Sequence, residues 1–223
     1  GRHGISLFID PHMDCWSRFT GGDGAPGWTL EEVGFDLRNL HATGAAFLHN
    51  HLDGAPMPTM VWPTNTLKLA SATMYTLFLA GDDFAPRARI RGESAQVFLQ
   101  RHYLAAMRKV AERLSAEPNV CGFDTLNEPS NGFIGRADLR DTGGLKNGTF
   151  TTGWQTIALG GGATFDVTRY SPAFVPRGTV RLNTERVRAW AEGRECVWQQ
   201  HGVWGPDETG EPRLLQPHYF ARR

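Results

Sequence analysis

Apolar residues gather into two short runs, each closed by a polar triplet. Gly4-Ile5-Ser6-Leu7-Phe8-Ile9 stops at Asp10-Pro11-His12, and Val120-Cys121-Gly122-Phe123-Asp124-Thr125-Leu126 stops at Asn127-Glu128-Pro129. Short apolar runs of this kind, each with a proline just beyond its end, predict buried strands. From about Ser94 to Ser115, the residues Val97, Tyr103, Leu104, Met107, Val110, Ala111 and Leu114 recur at helical spacing, and Glu117-Pro118 ends the pattern. A second helix, largely apolar and therefore buried, is predicted from Lys68 to Leu79. Trp28-Thr29-Leu30-Glu31-Glu32 predicts a helix start, with Thr29 as cap and Glu32 completing a capping box.

Strand, long helix, strand is the repeat unit of a parallel α/β fold, in which chemistry collects beyond the carboxyl ends of the strands. Both polar triplets stand there. Between Arg18 and Trp28 four glycines and a proline predict a long irregular loop. Beyond Gly135 the periodicity weakens among glycines and prolines, which predicts a long irregular insertion from about residue 136.

The 223 residues carry 23 Lys plus Arg against 23 Asp plus Glu, so no net field favours nucleic acid or an acidic membrane. A neutral partner is expected. No stretch is apolar for long enough to span a bilayer, and the first residues lack the layout of a secretory signal. The compartment stays open, with a soluble intracellular protein slightly favoured. Cys15, Cys121 and Cys196 are too few and too scattered for a disulfide framework or a zinc site, and read as buried thiols. Asn147-Gly148-Thr149 is a glycosylation sequon of the sort that arises by chance.

Several motifs together resemble glycoside hydrolase family 5, in its branch of glucosylceramidases and steryl β-glucosidases related to endoglycoceramidase. They are Asp10-Pro11-His12-Met13-Asp14, Trp16-Ser17-Arg18-Phe19, Gly24-Ala25-Pro26-Gly27-Trp28, Lys68-Leu69-Ala70, Phe84-Ala85-Pro86, Gly122 to Pro129, and Leu214 to Phe220. The resemblance implies an incomplete (β/α)₈ barrel in which the two runs are the third and fourth strands, the other strands lying outside the chain. It also implies a retaining β-glycosidase acting on glucosylceramide, a steryl glucoside or another β-glucoside, reached at a membrane surface if the substrate is a glycolipid. No cofactor, metal or obligate protein partner is implied.

Retention needs two carboxyl groups about 5 to 5.5 Å apart, one attacking the anomeric carbon and one protonating the leaving oxygen and then activating water. By the resemblance Glu128 is the acid/base and Asn127 binds the sugar 2-hydroxyl. His12 and Asp14, alternating after the first strand, are expected to bind sugar hydroxyls, and Trp16 to offer an aromatic face. Met13 stands where the family pattern has glutamine. None of Glu185, Glu192, Glu195, Glu208 and Glu211 closes an apolar run, so the nucleophile is expected outside this chain and the chain alone is expected to be inactive. Met57, Met60 and Val61 are candidates for contact with an apolar aglycone, and Trp28 and Trp62 read as structural. Two other readings remain: a metal-dependent barrel hydrolase using His12, Asp14, His41, His49 and His51, and a non-enzymatic glycolipid-binding remnant.

Overall fold

The structure, a computed structural model, describes residues 2–48, 62–141 and 146–221. His49, His51, Met57, Met60 and Val61 lie outside the described residues, as does the side chain of Trp62. The regular elements are β1 (Leu7–Ile9), α1 (Trp28–Val33), α2 (Leu69–Phe84), β2 (Arg89–Ile90), β3 (Glu93–Ser94), α3 (Ala95–Leu114) and β4 (Val120–Phe123). They continue with β5 (Gly148–Thr149), α4 (Gly153–Gly160), β6 (Phe165–Tyr170), β7 (Pro176–Leu182), α5 (Val197–Gln200), β8 (Trp204–Pro206) and β9 (Pro212–Leu214).

β1 and β4 pair in parallel, with Leu7 opposite Val120, Phe8 opposite Gly122 and Ile9 opposite Phe123. The return helix α3 starts where the sequence predicts, because the Ser94 hydroxyl accepts the Val97 N–H and satisfies a donor that the first turn leaves open. This is an α/β arrangement. Contrary to the expectation of buried strands, Leu7, Phe8 and Phe123 are 45%, 60% and 43% exposed. Among the described residues each of the two strands has a hydrogen-bonded neighbour on one side only, so the apolar side chains have too few partners to leave water.

The core lies instead around α2. Residues 69–78 of this helix are all buried, and Tyr75, Met74 and Leu77 pack with Trp16, Phe98, Trp198 and Phe133. Phe133 stacks on Phe220 with centroids 5.0 Å apart, and the Trp198 indole meets Phe220 edge-on at 4.8 Å. The helix runs to Phe84, past the predicted end at Leu79, through one non-helical residue at Ala80.

Two expectations need correction. At α1 the cap is Gly27, which has no side chain to offer; the Thr29 hydroxyl donates to the Pro26 carbonyl at 2.7 Å and accepts the Trp16 indole N–H at 3.0 Å. Capping boxes form elsewhere, at Ser17 with Thr20 and at Thr152 with Gln155. The segment beyond residue 136 is not irregular throughout: β5, β6 and β7 make an antiparallel sheet, β8 and β9 a hairpin, and α4 docks on α2. Asn147 of the sequon is buried, so its amide is not offered to a glycosylating enzyme in this fold. Burial pushes the Cys15 thiol up to about 12 and that of Cys196 to about 11, which makes both poor nucleophiles, whereas Cys121 is exposed. No described helix is long and apolar enough to cross a membrane.

Candidate active site

The parallel pairing of β1 and β4 continues beyond their last regular residues. Asp124 N–H donates to the Ile9 carbonyl at 2.8 Å, Asn127 N–H donates to the Pro11 carbonyl at 2.9 Å, and His12 and Asn127 form an isolated parallel bridge. The two polar triplets therefore sit side by side because the strands that carry them are in register. Proline contributes here: Pro11 has no N–H to donate but keeps its carbonyl as an acceptor.

The side chains follow the backbone. Asn127 Nδ2 is 3.1 Å from His12 Nδ1, and His12 Nε2 is 2.9 Å from Asp14 Oδ1. The Asp14 hydrogen bond holds the His12 pKa above its ordinary value; desolvation works against this, and the charges of Asp14, Asp23 and Glu128 add to it. Glu128 follows Asn127 directly in the chain, at the end of the bridge to His12. Glu128 is exposed, and its backbone is in the left-handed region at φ 46°, uncommon for a residue with a side chain. Such strain persists where surrounding structure over-determines it, and it concentrates at functional sites.

The structure brings together His12, Asp14, Asn127 and Glu128. It does not bring Trp16 to that open face: the indole is 2% exposed, edge-on to Tyr75 at 5.4 Å and to Phe78 at 5.6 Å, with its N–H spent on Thr29. Where the sequence leads one to expect an exposed aromatic face, the left-handed Cys15 and Trp16, at φ 48° and 78°, turn the chain inward directly after Asp14, and Trp16 lines a cavity together with His12 and Trp28. Met13 is buried too, its carbonyl accepting the Tyr75 hydroxyl. His41 Nδ1 accepts the Leu48 N–H at 3.0 Å, a structural use of the ring. Among the described residues no three His, Cys, Asp or Glu side chains are placed to hold a metal ion.

Sequence reasoning passed over Asp23, whose carboxylate faces the Asp14 N–H at 3.4 Å, and the α2 residues Tyr75 and Thr76. The glycine-rich context of Asp23 hides it. Nothing in the spacing of an apolar helix marks two of its residues as partners of distant loops.

No family model matches the chain. A glucosylceramidase of Rhizopus delemar is 45% identical over 231 residues, taking in 99% of this chain and 33% of that protein. An ergosteryl-beta-glucosidase of Saccharomyces cerevisiae is 34% identical over 265 residues, taking in 99% of this chain and 35% of that protein. The crystal structure of Cryptococcus neoformans sterylglucosidase 1 with tris matches 98% of this chain and 35% of its own at 34% identity, with a TM-score of 0.89. The chain spans about a third of the length of the curated relatives it matches. Across nearly every residue, in sequence and in fold, this chain is similar to one portion of glucosylceramidases and steryl β-glucosidases.

Proposed function

We propose that this chain is the third- and fourth-strand portion of a (β/α)₈ barrel, followed by an insertion from about residue 136, in a retaining β-glycosidase whose substrates are β-glucosides of lipids such as glucosylceramide or a steryl glucoside. The observation that carries the reading is the pairing of His12 with Asn127 beyond the strand ends, which puts the next residue, Glu128, at the same end of the strand pair. The exposed faces of Leu7, Phe8 and Phe123 support it, since these are the surfaces that further strands and helices of a closed barrel cover.

In this reading Glu128 protonates the leaving oxygen and then draws a proton from water. Asn127 binds the sugar 2-hydroxyl, a contact that strengthens as the oxocarbenium-like transition state develops, and His12 with Asp14 holds neighbouring hydroxyls. Trp16 shapes the loop rather than stacking on the sugar. The nucleophilic carboxylate comes from sequence outside this chain, about 5 to 5.5 Å from Glu128 in the assembled barrel.

Hydrolysis of two β-glucosides by the full-length protein tests the assignment. Glu128→Gln should lower kcat/KM for a poor alkyl leaving group by about 10²- to 10⁴-fold, the usual worth of general acid catalysis, and spare more of kcat/KM for an activated aryl leaving group that departs without a proton. Equal losses of kcat/KM on both substrates would reject Glu128 as the acid.

A further inference from the structure

We propose that Tyr75 and Thr76, consecutive residues of α2, are positioning residues that hold the two catalytic loops at a set separation, one residue for each loop; this rests on the glycosidase reading above. The Tyr75 hydroxyl donates to the carbonyl of Met13, the residue between His12 and Asp14. Thr76 Oγ1 accepts the N–H of Phe133 at 2.9 Å, in the segment that follows Glu128, and donates to the Ala72 carbonyl at 2.7 Å. One turn of one helix therefore grips both strand-end loops, over sequence separations of 62 and 57 residues.

Each loop carries the strain that such a grip is needed to hold. Cys15 and Trp16 are left-handed just beyond Asp14, and Glu128 is left-handed itself. Left to themselves these residues would relax toward ordinary backbone angles and carry the side chains off their marks. Close approach on the second loop depends on Gly132, at φ +57°: a Cβ there would lie 2.6 Å from Thr76 Oγ1 and collide with the Ala72 carbonyl.

The helix is a rigid reference because its other faces are pinned independently. Thr73 Oγ1 accepts the Trp198 indole N–H at 2.9 Å, the Leu69 N–H donates to Thr156 Oγ1 at 2.9 Å, and the Lys68 ammonium donates to the Thr149 carbonyl at 2.6 Å. Tyr75 is 1% exposed, and burial raises its pKa, so the phenol keeps the proton it donates. Its ring also meets Trp16 edge-on, adding packing to the hydrogen bond on the same loop.

Kinetics of the full-length protein test this. Tyr75→Phe removes one oxygen from the core and should lower kcat by about tenfold or more while changing KM less than about threefold, because misplacement weakens the transition state more than sugar binding. In a double-mutant cycle Asp14→Asn should cost much less on the Tyr75→Phe background than on the wild type, since both act through the His12 and Asp14 pair. Thr76→Ser, which keeps the hydroxyl, should retain turnover that Thr76→Val loses. Unchanged kcat in Tyr75→Phe, or independent multiplication of the Tyr75 and Asp14 effects, overturns the proposal. If Tyr75→Phe does not fold, the Thr76 pair decides, and equal kcat for serine and valine overturns it. A wild-type protein without β-glucosidase activity instead overturns the glycosidase reading itself.

Discussion

The side-chain amide of Asn127 lies 3.1 Å from Nδ1 of His12, and the protonation state of that ring decides which end of the amide faces it. With Asp14 accepting at Nε2, a neutral ring carries its proton there and presents Nδ1 as an acceptor to the Asn127 NH₂. The amide oxygen then stays available to a sugar hydroxyl. Once protonated, the ring donates from both nitrogens and the amide must turn its oxygen inward.

Binding of a β-glucoside should accordingly weaken on the acid side as His12 takes up its second proton. Because the Asp14 hydrogen bond raises the His12 pKa, Asp14→Asn should move that limb of the KM profile to lower pH. KM measured against pH for both proteins checks this, and coincident profiles would count against it. The sign for stability is separate: a raised histidine pKa contributes stability that is complete below the unfolded value of about 6.5 and fades as pH rises through the folded one.

Glu128→Gly should abolish turnover without destabilising the fold. Glycine adopts φ 46° without the cost of about 1–2 kcal/mol that a side chain carries in the left-handed region, partly offset by the greater entropy of the unfolded glycine chain. A thermal midpoint at or above that of the wild type is expected. A clear fall would show that the Glu128 side chain supports the structure.

Lys68 is fully buried, bonded to the Thr149 carbonyl and to Thr151 Oγ1 at 3.0 Å, with its pKa pushed down to about 7 by desolvation. The unfolded chain binds this proton up to about pH 10.4, so between the two values folding releases it and stability rises with pH. Below about 7 both states are protonated and the cost of burying the charge is complete. Lys68→Met should flatten the climb in denaturation midpoint between neutral and alkaline pH. A slope identical to the wild type would place the pH dependence elsewhere.

Trp16→Ala should destabilise by about 3–5 kcal/mol, the usual cost of emptying a buried aromatic site. Urea denaturation measures it. A cost under about 1 kcal/mol would put the indole back among the candidates for sugar contact.

The order of residues alone was enough to locate β1, β4 and α3 and to put His12, Asp14, Asn127 and Glu128 at strand ends, because apolar periodicity and proline stops act within a dozen neighbours. The alternation Phe165-Asp166-Val167-Thr168-Arg169-Tyr170 is the same kind of local signal and marks β6 inside a segment that otherwise reads as irregular. That Trp16 turns into the core, that Gly27 rather than Thr29 caps α1, and that Tyr75 and Thr76 reach two loops about sixty residues away emerged with the folded chain. Those outcomes depend on which backbone groups lack partners once the chain has closed on itself. A hydroxyl satisfying a distant carbonyl or amide leaves no periodic trace in the order of the residues.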